Sequence, residues 1–323
     1  MKARLLEACT PQELDAFYNS TLFRDYISST YDYLPLNIEY KKEYCGGEGD
    51  YKNTSVIIFE GDEPIVSLIS YSIGTLFSFF NEPVTIISSV FENRDKEARA
   101  LSLLFSTLKE IAKKNNYTSI LFSNNTHLLS TFFSKLTQTD LRFEAYLDLT
   151  ESKEIIKSSV RKSYKSLINW SEKNMITEVV SHDNPSYEKF MSFRDFHRHV
   201  SGRITRSDKT WELQYESLLN NQAYLMLGYY NNKLASGTLV THGKKTAYYC
   251  VGVYDRELMA ADVGLAHNNL LQTMYHAKDI GLKEFNLGNL PLNNTDAKEA
   301  NIFYFKTGFT KFMRTHTIFT ATF

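Results

Sequence analysis

Apolar positions along the chain fall into two successions of strands and helices that follow the same order. In the first half, Ser55–Phe59 and Ile65–Tyr71 are β-branched and apolar and flank the turn Gly61-Asp-Glu-Pro64, which predicts paired strands. Leu76–Phe80 and Val84–Val90 are further strand candidates. From Asp95 to Asn115 the period lengthens to that of a helix, with Ala98, Leu101, Leu104, Phe105, Leu108 and Ile111 on one side. Thr118–Phe122 then reads as a strand, His127–Leu136 as a helix and Phe143–Leu149 as a strand. Upstream, Thr10-Pro11-Gln-Glu13 combines a capping threonine, a first-turn proline and an acidic turn, so a helix should run through Leu14, Phe17 and Tyr18.

The second half repeats the order without repeating the residues. Tyr224–Tyr230 and Leu234–Thr241 flank Asn231-Asn232, a hairpin pattern, and Thr246–Tyr254 follows after Gly243-Lys-Lys245. A long helix is expected from about Asp262 to Ile280, with Val263, Leu270, Met274 and Ala277 at helical spacing and Gly281 as its stop. Glu284–Leu287 is the next strand, then come a short helix ending at Lys306 and terminal strands. Between the halves, Glu151–Lys173 reads as one helix with Ile156, Val160, Tyr164 and Ile168 as its buried stripe. The expected division is therefore a first domain over 1–150, a linking helix over 151–180 and a second domain over 181–323.

Length suggests about two domains, and composition is that of a globular protein with real cores. The chain has 323 residues, 43% of them apolar and 23% charged, with 21 tyrosines and 22 phenylalanines. A net charge of −1 gives no global field for nucleic acid or an anionic membrane, so DNA is not an expected partner. Cys9, Cys45 and Cys250 are scattered and lack metal spacing, which fits reduced thiols in a cytoplasm. His197 and His199 lie two apart on different faces of a helix, and no metal site is expected. No uncharged apolar run approaches the ~18–20 residues that span a bilayer.

The stretch with most chemistry is Asn301-Ile-Phe-Tyr-Phe305-Lys306-Thr-Gly308-Phe309, at the end of the short helix that starts near Asn294-Thr-Asp296. Gly308 is placed to be a left-handed stop residue. A lysine in the last turn has a plain explanation, since it faces the negative end of the helix dipole. Phe305-Lys306-x-Gly308-Phe309, following the strand-like Phe285-Asn-Leu-Gly288, also resembles the C-terminal signature of the FemABX-type transferases. Those are aminoacyl-tRNA-dependent peptidyltransferases of cell-wall building, with looser relatives in surface-polysaccharide biosynthesis. The resemblance implies an α+β fold of two tandem GNAT (acyl-CoA N-acyltransferase)-like domains, with mixed β-sheets flanked by helices.

Other candidates are basic or aromatic. Lys157, Arg161 and Lys165 form a stripe beside the buried one, either a solvated edge or a phosphate-binding ridge. In His199-Val-Ser-Gly-Arg203-Ile-Thr-Arg206-Ser207, ahead of Trp211, the two arginines suit a diphosphate or carboxylate, or else the segment is a loop capped by Ser207-Asp208. Strand alternation puts Tyr248 and Tyr254 on one face and Tyr249 on the other, and one of them should line the cleft. Acetyl-CoA-dependent acetyltransferases seat pyrophosphate on a glycine-rich turn before their long helix. Here that place holds Tyr254-Asp-Arg256-Glu-Leu258-Met259-Ala-Ala-Asp-Val-Gly264, in which Arg256 and Gly264 make a poor version. Glu92-Asn-Arg-Asp-Lys96, the corresponding turn of the first half, has no glycine.

The resemblance implies attack of an acceptor amine on an activated acyl ester, without a protein nucleophile. Lys306 would stabilise the developing charge and Phe305 would position it. No tightly bound cofactor is implied; the acyl donor is a co-substrate, aminoacyl-tRNA or acyl-CoA. The acceptor would be a cell-envelope precursor, a UDP-linked muropeptide or sugar, with charged tRNA as the other partner. An acyl-CoA-dependent N-acyltransferase of an amino sugar and a non-catalytic precursor-binding module are the alternatives.

Overall fold

The computed structural model describes residues 1–123, 136–261, 263–291 and 296–323. The helix expected over His127–Leu136 lies outside them except for Leu136, which begins a strand; Asp262 and Asn294 also lie outside. The chain forms two units that interleave in sequence. One comprises Met1–Ser29, Tyr44–Arg142 and Thr315–Phe323, the other Thr30–Glu43 and Phe143–Arg314.

In the first unit, β1 (Lys2–Leu5), β3 (Val56–Glu60), β4 (Glu63–Leu68) and β7 (Ile86–Ser88) form an antiparallel sheet in the order β1-β3-β4-β7. The short strands β2 (Lys52–Asn53) and β5 (Tyr71–Ser72) pair with each other. α1 (Pro11–Asn19) opens on the expected capping box: Thr10 accepts from the Glu13 amide while Glu13 accepts from the Thr10 amide. α3 (Arg94–Asn115) buries Leu101, Leu104, Phe105, Leu108 and Ile111, as its periodicity predicts. Ala98 is exposed instead, and Ala100 takes the buried place one step round. β8 (Ser119–Ser123) pairs with the end of β15 (Phe312–Thr322) and, in parallel, with β6 (Leu76–Phe77). β15 is a single strand where several were expected.

The second unit contains strands in the order β10-β11-β12-β13-β14-β9: β10 is Met175–Val180, β11 Ala223–Tyr230, β12 Lys233–His242, β13 Thr246–Tyr254, β14 Glu284–Asn289 and β9 Leu136–Asp148, of which the part from Phe143 belongs to this unit. All neighbours are antiparallel except β13 and β14, whose parallel pairing stops at Tyr248↔Asn286. Asn231 and Asn232 adopt φ of 50° and 61°, the left-handed pair that a two-residue hairpin needs. Both faces of this sheet are covered. Phe190, Phe193 and Trp211, from α6 (Tyr187–Ser201) and α7 (Asp208–Leu219), pack with Leu225, Leu227 and Leu239. The alternate strand residues Tyr224, Val240 and Ala247 pack in a second cluster with Ile156, Ile168, Leu270 and Met274, against which Phe303 and Phe305 lie partly buried. α2 (Pro35–Cys45) supplies Tyr40 to this unit.

The single helix expected over Glu151–Lys173 is two, α4 (Lys153–Ser159) and α5 (Lys162–Asn174). Val160 and Arg161 turn extended between them, and the Arg161 amide donates to the Gly308 carbonyl at 2.7 Å. Ile156, Val160, Tyr164 and Ile168 are all buried, so the apolar stripe holds across the break. The basic stripe does not: Lys157 pairs with Glu172, Arg161 turns inward and Lys165 is exposed. The long helix, α9 (Leu265–Asp279), begins after a short α8 (Arg256–Ala260) and stops at Gly281, whose φ is +89°.

The helix of the signature is α10 (Ala297–Thr307), capped by Asp296. Gly308 is not left-handed; its φ and ψ are −76° and −16°. Glycine is required there for space, since an added Cβ would meet Tyr164 Cε2 at 2.0 Å. The Gly308→Ala protein should therefore be overpacked and lose about 1–3 kcal/mol, read as a lowered midpoint of the unfolding transition. An unchanged midpoint would mean that the Tyr164 ring moves aside freely.

Candidate active site

The end of α10 is held by Arg161 and Tyr164. The Arg161 guanidinium donates to the Tyr304 carbonyl at 3.0 Å and to Thr307 Oγ1 at 3.2 Å, and lies 3.7 Å from the Tyr304 ring centre. Tyr164 Oη donates to the same carbonyl at 3.0 Å. Arg161, expected to meet substrate phosphate, is thus engaged by the fold itself. Because it occupies the helix end, Lys306 is not needed there.

Lys306 reaches out instead. Its Nζ donates to the carbonyl of Asn289, on β14, at 2.9 Å. Gly288, at φ +79°, leaves the space below: a Cβ there would lie 2.9 Å from Tyr248 Oη and 3.4 Å from Lys306 Nζ. The ammonium and the 40%-exposed Tyr248 therefore converge on one glycine. Half burial pulls the Lys306 pKa down to about 8, against an opposing upward pull from Glu144.

Phe305 lies behind the lysine in a ring cluster. Its ring centre is 5.3 Å from Phe309, 5.4 Å from His267, 6.3 Å from Tyr254 and 6.4 Å from Tyr164. Tyr249 and Tyr254, expected on opposite faces, share a face and a hydroxyl–hydroxyl bond of 3.2 Å. The register shifts between Leu239 and Val240, leaving Cys250 as an extra residue on β13; this bulge reverses the alternation. Burial holds both phenols above the usual tyrosine range, so they are neutral at ordinary pH.

Arg206 makes a separate arrangement in the same unit. Its guanidinium stacks 3.6 Å over the Trp211 ring and donates to Tyr40 Oη at 2.9 Å. Trp211, only 1% exposed, is the platform for the arginine rather than an open surface. Arg206 Nη2 is buried without a hydrogen-bond partner among the described residues, a donor that fits an anion. Arg203, three residues away, is exposed.

The poor cofactor turn is structurally occupied. Its middle is the helix α8, with Asp255 capping Leu258, and Gly264 is buried where an added Cβ would meet the Leu167 carbonyl at 2.9 Å. Gly264 serves the close approach of α5 to α9, and Arg256 stands exposed. Two residues not singled out by sequence join the site. Glu144 and Asn286 are hydrogen-bonded at 3.0 Å across β9 and β14, a pairing with no local sequence signal.

A tandem pair of GNAT-like α+β domains, with mixed sheets flanked by helices, is the class this architecture defines, and it has a FemABX-type fold. Among solved structures the chain resembles a crystal structure of FemX, at 13% identity and a TM-score of 0.67, covering 98% of this chain and 97% of that one. It also resembles L-PGS from Bacillus licheniformis, at 14% identity and a TM-score of 0.54, covering 89% and 91%. A third likeness is the C-terminal domain of a putative lysylphosphatidylglycerol synthetase from Agrobacterium fabrum, at 13% identity and a TM-score of 0.52, covering 88% and 89%. No family model and no curated protein sequence matches the chain. Among the described residues no helix is long and apolar enough to cross a membrane.

The depressed Lys306 pKa sets a sign for stability. With a folded pKa near 8 and an ordinary lysine value of about 10.4 when unfolded, the folded state holds fewer protons between these limits. The burial penalty is present below pH 8 and is relieved as pH rises to about 10.4. Relative to Lys306→Met, the parent protein should gain stability across that window, measured by denaturant unfolding at several pH values. A pH-independent difference would show an unperturbed lysine.

Proposed function

We propose that the chain is an aminoacyl or acyl transferase acting on an amine of a cell-envelope precursor. The observation that carries the reading is Lys306. It is half-buried, turned from its own helix end, and set beside Tyr248 over Gly288 in a chain matching FemX along nearly its whole length. The neighbours named for lysylphosphatidylglycerol synthesis support the same class of chemistry, transfer of an aminoacyl group in envelope building.

In the reaction, the acceptor amine attacks the ester carbonyl, forming a C–N bond. The C–O bond to the carrier then breaks, and the proton released by nitrogen passes to the departing oxygen. The ester is already activated, so proximity and charge stabilisation are what the protein supplies. Lys306 as ammonium faces the oxyanion, with Phe305 and its ring cluster fixing the lysine's helix. Arg206, with its unpartnered donor on the Trp211 platform, holds a phosphate or carboxylate of the acceptor, and exposed Arg203, three residues away in sequence, adds charge. A UDP-linked muropeptide or amino sugar presents such an anion. Aminoacyl-tRNA is the donor this reading favours, since the turn before α9 carries the helix α8 and its Gly264 is packed against Leu167. The protein would work in the cytoplasm, where both substrates are made available.

Lys306→Met should lower kcat about 100-fold while the protein remains folded. In the parent protein kcat should fall as pH rises through about 8, as the ammonium is lost. Turnover within twofold of the parent would remove Lys306 from the chemistry. Thermal shifts against acetyl-CoA, charged tRNA and UDP-linked precursors test the substrates, since a ligand of the native state stabilises it by mass action. A shift with acetyl-CoA alone would overturn the reading in favour of an acyl-CoA enzyme.

A further inference from the structure

The β9–β14 pairing that carries Asn289 is irregular. Asn286 faces Tyr146, but Gly288 faces Ala145, so Leu287 is an extra residue and the strand bulges just before the carbonyl that holds Lys306. One side chain ties the bulge down. The Asn286 amide donates to Glu144 Oε2 at 3.0 Å, while Asn286 Oδ1 accepts from the Gly288 amide at 2.6 Å. Glu144 itself stands opposite Asn289 in the register. A single carboxylate therefore anchors the loop of backbone on which the lysine rests.

We propose that Glu144 is the positioning residue for Lys306: through Asn286 it braces the Gly288 bulge that presents the Asn289 carbonyl, and its charge faces the ammonium. The inference rests on the transferase reading for its consequence, but its geometry stands without it. Bracing and charge act together. The brace fixes where Nζ sits, and the carboxylate favours the charged form of a lysine that burial would otherwise neutralise. The other groups facing this pair are Tyr248 from β13, beside the ammonium, and Asp32 and Arg314 around Glu144. Arg314 is forked onto Glu284 at 2.5 and 3.1 Å and also feels the charge of Glu144, the carboxylate that acts on Lys306.

The decisive experiment follows the Lys306 ammonium directly, by NMR titration of lysine-labelled protein, with the signal assigned by its loss in Lys306→Met. Glu144→Gln keeps an acceptor for the Asn286 amide and removes the charge; it should lower the Lys306 midpoint by about one pH unit. Asn286→Ala keeps the charge and removes the brace; it should move the midpoint the same way by less. The basic limb of the kcat/KM profile should move with the midpoint in each. A midpoint that stays in place in whichever variant folds overturns the proposal. The titration needs no substrate, so a moving midpoint in a protein without transferase activity would uphold the Glu144–Lys306 coupling and remove the transfer reading alone.

Discussion

The contact on which the placement of Lys306 depends is the closure of α10 by Arg161 and Tyr164. A helix ends with carbonyls that lack intrahelical donors, and something must satisfy them. Here the Arg161 amide takes the Gly308 carbonyl, while its guanidinium and the Tyr164 hydroxyl take the Tyr304 carbonyl. The geometry works only because position 308 has no side chain to meet the Tyr164 ring. The break between α4 and α5 belongs to the same closure, since a continuous helix would keep the Arg161 amide for itself. With the helix end satisfied, Lys306 is released to reach the neighbouring strand.

That division of labour separates the plain reading of the signature from the chemical one. A lysine serving the helix dipole would hover over its own last carbonyls. This one crosses to β14, is partly desolvated there, and shares a glycine with a tyrosine hydroxyl. Gly288 and Gly308 thus do different work on either side of the lysine. Gly288 adopts a positive φ and leaves room for two polar tips, while Gly308 keeps an ordinary helical φ and lets a ring come close.

Features set by neighbours in sequence were legible before the fold was known. The Thr10–Glu13 box, the Asn231-Asn232 hairpin and the buried stripe from Ile156 to Ile168 each rest on spacing within a few residues, and each is present. The Phe305-Lys306 signature pointed to the residue that the geometry makes most unusual. Features set by a distant partner were not legible. The extra residue at Cys250, which puts Tyr249 and Tyr254 on one face, exists only in the register with β12. Arg161 looked like part of a surface stripe because the break beside it is fixed by Gly308, far along the chain. Glu144 gave no signal, since its meaning lies in Asn286 on another strand.

The basic residues of the site also show why their types are not interchangeable. Arg161 and Arg206 both lie against rings, and Arg161 donates to two acceptors in a planar fork, a use for which guanidinium is suited. Lys306 carries a compact charge on a flexible stem, and burial brings its titration close to neutrality. An arginine there would keep its charge when buried and would need several acceptors where the strand offers one carbonyl. The fold therefore sets guanidinium groups against rings and a helix end, and an ammonium with a lowered pKa against a single strand carbonyl.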